Sequence, residues 1–165
     1  MIAKFKMVSL AAAMAVAGPA VADDHQPEWL FVQTALSAAS AEGSLTLPYD
    51  REIFAFTDRP DRLHDHLTAH EFMHMWEFEG DNFTVNPPNA VITWVADDEV
   101  REAEIGLLGA EVTDFGRAIT YEIEFGTGHP LPEALGSVSL FIDGVFGASP
   151  CDNSPTPTPE VLCMR

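Results

Sequence analysis

Lysine is missing from the whole chain after Lys6. The other fixed cations are six arginines, Arg51, Arg59, Arg62, Arg101, Arg117 and Arg165, set against 26 acidic residues. The formal charge is −18 overall, and −20 for a chain that has lost its two lysines. Such a surface repels phosphodiester backbones and anionic headgroups, which excludes nucleic acid as a partner and disfavours lipid surfaces. It suits solubility in a salty medium, where self-repulsion is screened, and it also attracts cations.

Cysteine is nearly as scarce. Cys151 and Cys163 are the only two, and they bracket "DNSPTPTPEVL" at the C-terminus. In an exported chain an even pair predicts a disulfide, and a ring of that size stabilises by roughly 3 kcal/mol in the chain-entropy model. Pairing leaves no thiol for catalysis. A nucleophile elbow, a P-loop and a dinucleotide fingerprint are also missing, which disfavours the usual hydrolase and nucleotide chemistries.

Long apolar runs are confined to the N-terminus. Lys4 and Lys6 precede the mostly apolar stretch Met7 to Ala17, and Ala20-Val21-Ala22 fits an A-x-A cleavage site. Residues 1–22 therefore read as a bacterial Sec-type signal peptide, too short in its apolar part to span a bilayer. The expectation is a periplasmic or secreted protein starting at Asp23, with no membrane span after cleavage. It comprises a domain over 23–150 and a disulfide-closed, proline-rich tail over 151–165.

Alternation with period two dominates the chain beyond the leader. In "RAITYEIEF", Ile119, Tyr121, Ile123 and Phe125 fall on one face and Thr120, Glu122 and Glu124 on the other, the pattern of a half-buried strand. The same test picks out one face in six further runs: Leu30, Val32, Thr34 and Leu36; Leu45 and Leu47; Phe54 and Phe56; Ile92 and Trp94; Ala103, Ile105 and Leu107; Val138, Leu140 and Ile142. Turn residues punctuate these runs in "AEG", "NPPN", "DFG" and "GTGHPLPEALG". About seven short strands with this spacing predict a mainly β fold, an antiparallel β-sandwich.

One segment departs from the alternation. From Ala69 to Glu79 there is neither glycine nor proline, and "TAHE" is a capping box with Thr68 as N-cap and Glu71 three positions on. These signals predict a short helix over about 69–79, stopped by Gly80. At 100° per residue Phe72, Met73, Met75 and Trp76 share an apolar side, and His70, His74 and Glu77 lie opposite.

That helix carries His70-Glu71-Phe72-Met73-His74, an H-E-x-x-H string. Two histidines at i and i+4 can hold Zn²⁺ while the glutamate acts as general base on a metal-bound water, so Glu71 is the catalytic candidate for a zinc metallopeptidase. Such a site needs a third ligand. The metzincin continuation would have glycine and histidine where Glu77 and Gly80 stand, and Glu99, Glu102 or Glu104 would serve only if a strand returns over the helix. Metal binding without catalysis is a separate expectation: His64, His66, His70 and His74 lie within eleven residues beside Met73 and Met75, a donor set for copper or zinc. Cleavage after Ala22 would also put His25 third from a free amine, a square-planar Cu(II) end. In "FTDRPDR", Arg59 is expected to bridge carboxylates at a strand end.

"FTDRPDR", "PPNAVITW", "RAITYEI" and "SLFID" together resemble a family of small exported bacterial β-rich proteins of uncharacterised activity, over about Trp29 to Asp143. The resemblance implies the fold, with Phe72 and Trp76 as helix landmarks, and implies no activity. Three functional expectations stand: a non-enzymatic exported domain with an unknown protein or envelope partner, a periplasmic copper or zinc binder, and a small zinc hydrolase.

Overall fold

Alternating apolar residues can bury one face of each strand only if the strands join a sheet that closes over a common interior. The computed structural model, which describes residues 27–77 and 82–146, shows how this is done. Among the described residues there are ten strands: β1 (Glu28–Ala35), β2 (Ala38–Ala41), β3 (Ser44–Pro48), β4 (Ile53–Thr57), β5 (His64–Leu67), β6 (Asn89–Ala96), β7 (Glu99–Thr113), β8 (Ala118–Gly128), β9 (Ala134–Leu135) and β10 (Val138–Phe146). An α-helix, α1 (Ala69–Glu77), lies between β5 and β6. The fold is mainly β and antiparallel, as the alternation predicts.

All ten strands belong to one sheet, in the order β5-β4-β1-β10-β6-β7-β8-β3-β2-β9. The three beyond the expected seven are short: β2 and β5 have four residues each and β9 has two. The sheet folds over on itself, which is compatible with sandwich-like layering. β1 and β8 are separated by three strands, yet the Tyr121 hydroxyl of β8 donates a 2.6 Å hydrogen bond to Gln33 Oε1 of β1 across the interior. Near the far edge, the Val95 amide of β6 donates to the Ser137 carbonyl just beyond β9.

Turn chemistry fixes the hairpins. β6 and β7 are joined through Asp97 and Asp98, both at positive φ, the two-residue geometry that matches strand twist. β7 and β8 are joined through Asp114, Phe115 and Gly116, also at positive φ, with Arg117 reaching back to the Asp114 carboxylate at 3.0 Å. Phe115 at this tip is fully exposed.

The core face agrees with the sequence pattern on most strands. Leu45, Leu47, Ile92, Trp94, Ala103, Ile105, Leu107, Ile119, Tyr121, Val138, Leu140 and Ile142 are all buried. Ile123 is only partly covered, and Phe125 is 49% exposed where β8 runs past the core. On β1 and β4 the face picked out by alternation is instead the outer one. Trp29, Phe31 and Gln33 of β1 and Ile53, Ala55 and Thr57 of β4 point inward. Both strands are apolar on both faces, so alternation alone chose between two apolar sets, and pairing with the neighbouring strands set which of them turned inward. A side chain at Gly144 of β10 would overlap the Trp29 carbonyl oxygen, so the irregular end of the β1–β10 ladder requires a residue without Cβ.

Burial raises the Tyr121 pKa far above the usual tyrosine value of about 10. The folded state therefore holds this proton more tightly than the unfolded chain does. The resulting stability is present below about pH 10 and is lost as pH rises through it, by about 1.4 kcal/mol per unit. Urea unfolding at pH 7 and 11 should show that loss in the native chain and not in Tyr121→Phe. The variant should be about 1–2 kcal/mol less stable at pH 7, where Gln33 Oε1 loses its donor.

Candidate functional site

The helix start is built as "TAHE" predicts. The Thr68 amide and hydroxyl both donate to Glu71 Oε2 at 2.7 Å, and the Glu71 amide donates to Thr68 Oγ1 at 3.3 Å. Phe72 and Met73 are buried, Met75 and Trp76 partly so. Phe72 packs on Phe31 at 5.3 Å between ring centroids, and Trp76 packs on Phe83 at 4.9 Å and Tyr121 at 6.4 Å. The helix thus sits on the inner side of the folded sheet. Phe83, which alternation does not mark, is fully buried and ties the segment after the helix to Met75 through its amide. Residues 78–79 and the expected stop at Gly80 lie outside the described residues, as do the signal segment, His25, Cys151 and Cys163.

The four clustered histidines divide into two pairs. His64 and His66 stand on the outer face of edge strand β5 beside Phe54, with ring centroids 6.4 and 5.2 Å from it. His70 and His74 stand on the helix away from the core, their rings 4.8 Å apart, and His74 Nδ1 lies 3.3 Å from Glu77 Oε2. Among the described residues no group of three or more histidine, cysteine or acidic side chains converges on one point.

A hydrolytic zinc site needs a glutamate and a third ligand beside the two histidines, and among the described residues no third donor converges with His70 and His74. Glu71 commits its carboxylate to Thr68. β7 does pass beside α1, yet Glu102 and Glu104 stand opposite Thr93 and Val91 on the outer face, turned away from the helix. Glu99 is at the exposed β6–β7 turn. Arg59 donates its amide to Asp58 Oδ1 at 2.6 Å, and the stretch around it is closed by Thr57, whose hydroxyl and amide pair with Leu63.

The feature that sequence reasoning missed is the outer face of β4, β1, β10 and β6. Register places His66, Phe54, Val32, Phe141, Val91 and Glu104 directly opposite one another on six successive strands. A second row runs His64, Phe56, Leu30 and Asp143. Residues opposed in antiparallel pairs share a face, so the six apolar members form one continuous band. Phe141 is 46% exposed, Phe54 and Val91 each 36%, and Phe54 stacks on Phe56 at 5.7 Å. The signal for it was the unbroken apolar character of "WLFV" and "IFAF". At its β7 end the band opens into a depression of about 540 Å³ bounded by Asn89, Val91, Glu104, Glu124, Phe125 and Asp143.

Comparison with family models, curated proteins and solved structures found no match to this chain. Among the described residues no helix is long and apolar enough to cross a membrane.

Replacing Thr68 by alanine should cost about 1 kcal/mol, seen as a lower urea midpoint, because it removes the acceptor for the Glu71 amide. A much larger loss would mean that Thr68 serves more than the helix start.

Proposed function

We propose that this protein is an exported, non-enzymatic domain that binds another protein through the outer apolar band. One observation carries the reading: six apolar side chains lie side by side across four strands on the solvent face, where a half-buried antiparallel sheet normally presents polar residues. The glutamate of the histidine–glutamate string pairs with Thr68 at the helix start. The leader-like N-terminus supports an envelope or extracellular setting. A photo-cross-linkable phenylalanine analogue at position 141 in living cells should give a discrete adduct. The same analogue at position 115, more exposed but remote from the band, should not. Equal labelling from both positions, or none from 141, would overturn the reading.

A second reading is supported by the adjacent His70 and His74 rings: two imidazoles one helical turn apart form an open bidentate site for zinc or copper, with water or a partner completing the shell. In a zinc titration, His70→Ala should weaken binding about ten-fold while His64→Ala leaves it unchanged. Equal effects of the two substitutions would remove the reading.

A further inference from the structure

We infer that the occupant of the outer band is a polypeptide segment bearing apolar side chains together with lysine or arginine. The inference rests on the docking reading and adds the partner's chemistry.

The two ends of the band differ. Imidazoles of His64 and His66 flank the β5 end, whereas carboxylates terminate both rows on the other side, Asp143 after Leu30 and Glu104 after Val91. Glu124 joins these two around the depression that continues the band past Val91. The Thr127 hydroxyl donates to Glu104 Oε2 at 2.8 Å, which holds that carboxylate at the rim. None of the three takes part in the ion pairs found among the described residues, so no arginine there neutralises them. An apolar strip that ends in three uncompensated carboxylates is complementary to a segment that is apolar along its length and cationic at one end.

The other occupants fit less well. A second copy would bring together two chains of formal charge −18. An anionic bilayer would be repelled by the same carboxylates. A cationic polypeptide gains both apolar burial and Coulomb attraction, and its encounter is accelerated by the charge of the whole molecule.

The test uses the full chain, with short synthetic peptides carrying a leucine-rich run that ends in lysines as the probe, read by titration calorimetry at low and high salt. Leucine–glutamate and serine–lysine peptides of equal length are the controls. The leucine–lysine peptide should bind about ten-fold more tightly than either control. The double variant Phe54→Ser, Phe141→Ser should weaken it about five-fold without changing the serine–lysine value. Glu104→Gln with Asp143→Asn should weaken it and flatten its salt dependence. Equal binding of the leucine–lysine and serine–lysine peptides, or indifference to both pairs of substitutions, would overturn the inference. So would sedimentation showing a dimer that the phenylalanine variant dissolves, since the occupant would then be a second copy. A cross-linked partner without basic residues in its contact segment would overturn this inference while leaving the docking face in place.

Discussion

The pairing register of β1 is the constraint on which the rest of the molecule depends. This strand lies between β4 and β10 and is apolar on both sides, so its own composition does not decide which side turns inward. The ladders decide it. With Val32 opposite Phe54 on one side and Phe141 on the other, Trp29, Phe31 and Gln33 face the interior. A slip of one residue would exchange the two faces, put Leu30 and Val32 in the core and expose the indole of Trp29. That one choice places Gln33 where the Tyr121 hydroxyl reaches it, sets Phe31 beneath Phe72 of the helix, and creates the outer band.

Helix and sheet are joined by the same aromatic contacts. Phe31, Phe72, Trp76 and Phe83 form a chain of tilted and edge-on rings running from the sheet through the helix to the segment beyond it. This packing turns His70 and His74 to the surface. Thr68 and Glu71 complete each other at the start of that helix. Within the H-E-x-x-H string, Glu71 thus serves the helix start, and the two histidines share one outward helix face.

Local and strongly patterned features were legible in the sequence. The capping box depends on residues three apart, and β3, β6, β7, β8 and β10 each have one clearly apolar face. The short strands β2, β5 and β9 were not legible, because two to four residues cannot establish a period and their pairing depends on distant partners. The outer band escaped for a related reason. Alternation reports a contrast between faces, and on β1 and β4 there is little contrast, so the excess of apolar residues went unread. What pointed to it was the sum over both faces, with Phe54 and Phe56 beside an inward Ile53 and Ala55.

The two margins of the sheet contrast with its broad side. A sheet that does not close is open to zipping by foreign strands along its unpaired margins, the first step toward fibrils and runaway polymers. Here one margin is four residues long, begins with a charge-capable imidazole and runs straight into a helix, and the other is two residues long and comes after a proline-containing loop. Neither gives an incoming backbone enough ladder to hold. The two ends of the strand order are therefore defended against indiscriminate growth by strand addition.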